Sequence, residues 1–280
     1  MRTTLTAALA LAALIFGPAR AEEDKSSAVD TEHIFGFTEG TDIGDKGERE
    51  FEVATTGLVG KPGSFIALGT ESTFRYGVEQ GFRASLGVVN DYHGVYNSPD
   101  LDDRKFFGLA GLTTEFRWTL LEREKAPFGL VLSFAPEWRL RDATAGAPSD
   151  IYNLPVGLLL DKALVDKTVY VAANFYYSPS FLHSAGAWST QKPLEASFAG
   201  AYRILAAVFV GAELRQYFQD ARGLLREPGL FVGPSFYLRL SEATNFKIGW
   251  SSQIPHEGSN HLDLVNYERH QFIVQFATGF

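Results

Sequence analysis

TTEFRWTLLE, residues 113–122, sets charged groups against large apolar ones at a period of two. Glu115 and Arg117 stand two apart, with Phe116 and Trp118 interleaved. The same offset returns in APEWRLR, through Glu137 and Arg139, and in GAELRQYF, through Glu213 and Arg215. A period of two belongs to a β-strand, whose successive side chains point to opposite faces. Each of these strands therefore carries a charged face and a bulky apolar face, and the fold depends on which of them is inside.

Outward from this stretch the alternation continues from residue 48 to the end of the chain. In FIALGTESTFRY (65–76), Ile66, Leu68, Thr70, Ser72, Phe74 and Tyr76 share one face, and Ala67, Gly69, Glu71, Thr73 and Arg75 the other. No stretch after the leader holds a helical period over three turns. Twelve strands are expected, at 48–58, 64–77, 80–93, 106–121, 127–141, 151–162, 167–178, 192–203, 207–219, 229–241, 244–254 and 268–280.

The connections sort by length. VEQG, EREKAP, ALVD, ILAA and SEAT are short, whereas YHGVYNSPDLDDRK, DATAGAPSD, SPSFLHSAGAWSTQK, QDARGLLREPG and PHEGSNHLDLVNY are long, with VGKPGS the exception among the latter series. Short and long turns that alternate on an even number of antiparallel strands characterise a transmembrane β-barrel, with short periplasmic turns and longer extracellular loops. A soluble sandwich gives no reason for such sorting.

The last strand alternates Phe272, Val274, Phe276, Thr278 and Phe280 up to a terminal phenylalanine. Here the chain resembles bacterial outer-membrane β-barrel proteins. That resemblance implies a partner in the barrel assembly machinery, with Phe276 and Phe280 as the signal read in the last strand. FGFTEGTDIGDKGERE (35–50), FRYGV (74–78), ERxxAPFGL (122–130) and NYERHQF (266–272) further resemble an uncharacterised proteobacterial group, distantly similar to the MetA-pathway phenol-degradation channel-like barrels. That group has no firm activity to lend.

A barrel in lipid answers the opening question. A charge at the lipid midplane costs about 2–4 kcal/mol, so Phe116, Trp118, Phe134, Trp138, Leu214 and Phe218 face lipid and the charges face the lumen. The expected lumen lining is Glu71, Arg75, Arg83, Glu115, Arg117, Glu137, Arg139, Glu213, Arg215, Arg239, Lys247 and Arg269. With Glu52, Glu195, Arg141 and Arg203 added, six carboxylates face ten cations, an excess of +4. A salt-bridge network that stiffens the wall and a polar path for solutes both account for these residues, and unpaired charges are costly in either case.

At the N-terminus, Arg2, the apolar run LTAALALAALIF and the ARA site predict a signal peptide over 1–21. Residues 22–47, acidic and glycine-rich, are expected to be a periplasmic N-terminal segment, and 48–280 the barrel. Loss of Arg2 and Arg20 takes the formal charge from −8 to −10, which argues against nucleic acid. There are no cysteines, and so no disulfide framework or thiolate metal site.

Catalysis has weak support. His183 and Ser184 adjoin in a predicted loop, and neighbours in a chain rarely present side chains to each other. His270 has no serine two residues away, and Ser251 and Ser252 have no histidine near in sequence, which leaves only a triad assembled across strands. His256, Glu257, His261 and Asp263 share a loop whose polarity needs no metal, and DIGDKG lacks calcium-loop spacing. No cofactor or metal is expected. The expected function is a passive outer-membrane channel or transporter for small solutes, anion-preferring through its Glu/Arg lumen, with outer-membrane lipid as its surroundings. The alternatives are a non-transporting structural or surface-interaction barrel and, behind it, a lipid-modifying enzyme.

Overall fold

The computed structural model describes residues 29–184, 186–219, 228–255 and 260–280. Residues 1–21, expected to be a signal peptide, and His256 and Glu257 lie outside them. Among the described residues there is no helix, and the strands form one closed antiparallel barrel.

Eight of its twelve strands run unbroken. They are β1 (Arg49–Val59), β2 (Ser64–Glu79), β3 (Phe82–Tyr96), β4 (Arg104–Leu121), β9 (Val208–Phe218), β10 (Gly229–Arg239), β11 (Thr244–Ile254) and β12 (His270–Gly279). The other four each come in two segments. These are β5 (Gly129–Phe134 and Glu137–Arg141), β6 (Pro148–Asn153 and Val156–Val165), β7 (Val169–Tyr177 and Ser180–Ser184) and β8 (Ala187–Gln191 and Leu194–Leu205). Neighbours in sequence pair all the way round, and β12 closes on β1 from Glu50↔Gly279 to Val59↔His270.

The four breaks have one cause. Pro136, Pro155, Pro179 and Pro193 lie at the same level on adjacent strands, and a proline has no N–H to give the ladder. Each proline still accepts. Thr114 donates its N–H to the carbonyl of Pro136 at 2.9 Å, Ala135 to Pro155 at 2.9 Å, Leu154 to Pro179 at 2.9 Å and Ser178 to Pro193 at 3.0 Å. The ladder loses a rung on each strand but keeps its register, and β7 and β8 continue beyond the line as a hairpin.

SPSFLHSAGAWSTQK is therefore mostly strand, paired from Ser180↔Gln191 to Ser184↔Ala187, and not the long loop its composition suggested. The second half of DATAGAPSD is likewise strand, at Pro148–Asn153. Turns at the end where β1 starts run from residues 80–81 to 122–128, and the far end still holds the longest connection, 255–269.

The outer surface is apolar, with Phe74, Leu86, Trp118, Trp138, Leu214 and Phe276 exposed. The inner surface carries the buried polar groups, among them Arg75, Arg83, Arg117, Glu213, Arg215 and Lys247. The charged face is inside, as lipid requires.

Candidate functional site: a lumen filled by an N-terminal finger

Residues 29–43 do not lead into the barrel from outside, as expected for a periplasmic segment. They fold into its lumen. Thr31, Glu32, His33, Ile34, Phe35 and Thr38 are each no more than 4% exposed. The segment enters at the end where β1 starts, reaches mid-lumen around Phe37, and returns to the same end at Asp45. It is a finger, not a thread.

Its neck is clasped at the near end. Asp42 accepts hydrogen bonds from the Thr31 N–H at 2.7 Å and from the Thr31 hydroxyl at 3.0 Å. Asp161 on β6 accepts from the Thr41 N–H at 3.1 Å and the Thr41 hydroxyl at 2.7 Å. Arg123, from the β4–β5 turn, bridges Asp161 at 2.7 Å and Asp42 at 3.1 Å. Burial opposes the Arg123 charge, but Asp161 and Asp42 outweigh it and raise its pKa. Gly129 at the start of β5 lets the neck come close, since a Cβ there would collide with the Thr41 hydroxyl. ERxxAPFGL and FGFTEGTDIGDKGERE thus meet in space.

One wall grips the finger by charge. Glu32 receives Arg75 of β2 at 3.0 Å, Arg83 of β3 at 2.6 Å and Arg117 of β4 at 2.9 Å. Arg83 contacts both Glu32 oxygens, the fork geometry that suits guanidinium to carboxylate. Arg117 also pairs with Glu39 and, at 2.8 Å, with Glu115. Arg75 keeps Glu50 at 3.0 Å and Glu52 at 2.9 Å. His33 stands 3.3 Å from Glu50 and 2.9 Å from Gln275. Burial works against the His33 charge, but Glu32, Glu50 and Asp30 outweigh it and raise its pKa to about 9.

The opposite wall grips by packing. Ile34 and Phe35 join Tyr170, Ala172, Ala199, Ala201, Phe209 and Tyr237, from β7 to β10, in one buried apolar cluster. At the tip, Glu213 of β9 accepts the N–H groups of Gly36, Phe37 and Thr38, the last two at 3.0 and 3.1 Å. The Arg215 guanidinium lies 3.7 Å from the Phe37 ring centroid and also donates to Gln271 at 2.8 Å.

The expected lumen residues divide accordingly. Arg75, Arg83, Glu115, Arg117, Glu213 and Arg215 surround the finger. Glu71 accepts from Thr73 at 3.0 Å, and Glu137 and Arg139 pair at 2.9 Å in a separate group with Asp91. Lys247 is 1% exposed in the interior, and Arg239 lines the near-end mouth. Arg269 stands in the connection before β12 and is exposed.

Glu32, Glu39, Asp42, Arg123 and Asp161 were missed. One signal for them was present. Residues 29–43 hold four carboxylates and no Lys or Arg, which opposes in sign the positive excess expected on the strands.

Two other constellations come together in the structure. Ser252 and His270, far apart in sequence, face each other across β11 and β12 at 2.9 Å. Trp250 also donates to the serine oxygen at 3.1 Å. A nucleophile–base pair needs a third group to orient the histidine, and among the described residues no carboxylate or amide hydrogen-bonds its other nitrogen. Glu32, His33 and Glu50 bring possible ligand atoms within 4.8 Å of one another. The Glu32 oxygens are already committed to three guanidinium groups, surroundings that repel a cation.

A family model described as a family of unknown function, DUF6662, matches residues 27–280. No curated protein matches the chain. Among solved structures, the COG4313 outer membrane channel from Pseudomonas putida F1 has a TM-score of 0.56 at 10% identity, over 93% of this chain and 100% of that one. A KdgM porin has a TM-score of 0.48 at 11% identity, over 82% and 99%, and a NanC porin 0.48 at 11%, over 81% and 98%. At such identities the likeness concerns the fold, that of outer-membrane barrels.

Proposed function

The chain belongs to the DUF6662 family, and we propose that it is an outer-membrane channel for small solutes, anion-preferring, with the finger 29–43 as its internal stopper. The observation that carries this reading is the way the lumen is filled. A barrel built only for rigidity fills its interior with its own strand side chains. Here the filling is a separate segment that enters and leaves by one mouth, so withdrawal needs no unthreading and leaves the wall intact.

A vestibule of about 910 Å³ opens at that mouth and is lined by Glu32, Asp42, Arg75, Arg83 and Arg123 among others. Withdrawal removes four carboxylates from a wall rich in arginine. Low-dielectric walls focus the field of such a lumen on an entering ion, and rings of Arg and Lys select anions in pores. Export by the signal peptide, and assembly through β12 with Phe276 and Phe280, complete the reading.

Planar-bilayer recordings in a potassium chloride gradient test it. The finger-deleted barrel is expected to conduct with a reversal potential on the chloride side. Replacing Arg117, Arg139 and Arg215 together by glutamine should weaken that preference. A clear cation preference, or one indifferent to the three substitutions, overturns the anion reading. The second reading, a non-transporting barrel, is favoured by the buried ion pairs that lock the finger. Silence of both wild type and finger deletion across voltage and salt would establish it.

A further inference from the structure

Arg83 and Arg117 are direct cross-strand partners on β3 and β4. Like charges directly opposite each other destabilise a sheet, and here both side chains are buried, at 6% and 3% exposure. Such a pair is costly without an anion between its members, and Glu32, in contact with both, is that anion. Arg75 and Arg117 have other carboxylates on the wall, namely Glu50, Glu52 and Glu115. Among the described residues, Glu32 is the one carboxylate in ion-pair reach of Arg83. The wall thus pairs two of the three arginines directly, whereas it offers Arg83 only the more distant charge of Glu115, which leaves a place for one more carboxylate in contact.

We infer that Arg75, Arg83 and Arg117 form a carboxylate-binding site of the channel, and that Glu32 is its tethered resident, occupying the place of a solute's acid group. This rests on the channel reading and assigns a solute class to it. The two oxygens of Glu32 meet the Arg83 fork, while Arg75 and Arg117 add one contact each to the same oxygen. A planar carboxylate fits that pattern. The vestibule reaches Glu32, Arg75 and Arg83, so a free acid enters the site from the mouth through which the finger leaves. The site therefore exchanges one carboxylate for another, with no net change of buried charge.

Glu32→Ala empties the site without touching the wall. The variant is folded to the SDS-resistant barrel and melted in rising sodium propionate at constant ionic strength, with sodium chloride as balance. A saturable upward shift in melting temperature is expected in Glu32→Ala, absent in wild type, whose site is filled, and lost in Glu32→Ala/Arg83→Gln. Should Glu32→Ala not give the heat-modifiable barrel, Glu32→Ser is used in the same titration.

No propionate response, or one that survives Arg83→Gln, overturns the site. An equal response to phosphate or sulfate overturns the assignment to carboxylates. The melt needs no conduction, so a barrel that stays silent in bilayers would remove the channel reading while leaving the bound carboxylate in place.

Discussion

Glu32 and Phe35 lie three residues apart on one finger and meet opposite walls of the same barrel. Glu32 is held by three arginines of β2 to β4, and Phe35 by Tyr170, Ala172, Ala199, Ala201, Phe209 and Tyr237 of β7 to β10. The apolar grip derives from surface removed from water and does not discriminate among solutes. The charged grip is strong only while its partners match, because a buried charge left alone is costly. A stopper held by packing alone would ignore the ions around it, and one held by charge alone would loosen in salt. This finger has a constant anchor on one side and an anion-responsive one on the other.

Deleting residues 29–43 removes both grips and has the largest expected effect. Bilayer current should change from closed to steadily conducting, and unchanged current would mean that the finger does not block the path. Next in size are single removals from each wall. Phe35→Ala should weaken seating by about 3–5 kcal/mol, and Arg117→Gln by about 3–5 kcal/mol through the unpaired carboxylates it leaves. Salt tells the two apart. Raising ionic strength should alter finger release in Phe35→Ala, where the ion pairs now carry the hold, far more than in Arg117→Gln. Equal salt dependence would erase the distinction between the walls.

A smaller effect follows from pH. His33 in the seated finger has its pKa raised to about 9 from 6.5, so the seated form holds the extra proton. Its contribution is complete below about pH 6.5 and is lost as pH rises through 9. Finger release, read as open probability, should therefore increase from pH 6.5 to 9 in wild type. His33→Gln should flatten that rise. The smallest change is at the neck, where Thr41→Val removes one hydroxyl bond to Asp161 and should cost about 1 kcal/mol, seen as a slight fall in melting temperature.

The barrel was legible because parity is a strong signal. Phe116 beside Glu115, and Trp138 beside Glu137, admit only one orientation in lipid. Proline misled at β7 and β8, since Pro179 and Pro193 carry the usual mark of a loop. In the structure each merely skips a rung, and its own carbonyl still accepts from the strand before it, from Leu154 and Ser178. The finger was illegible for a different reason. Its glycines and acids show no period, which is also how a solvated leader looks. Only the sum of its charges against the sum on the strands connects Glu32 with Arg83, and no local window contains both. The Ser252–His270 pair was hidden in the same way, by an antiparallel register that places residues 18 apart in sequence side by side.

Gly44 and Gly47, at φ of 76° and 85°, join the finger to β1. Both angles lie in the left-handed region that glycine adopts without penalty, so the joint can change direction without unfolding the strand. A group on so short a leash meets its target at an effective concentration on the order of millimolar, whatever the dilution outside. A free acid competing for the same arginines must approach that level before it holds them for any appreciable share of the time. Scarce acids would leave the wall sealed, and abundant ones would keep it open. The leash length would then act as a threshold, so lengthening the joint should let the barrel admit its solute from a more dilute medium.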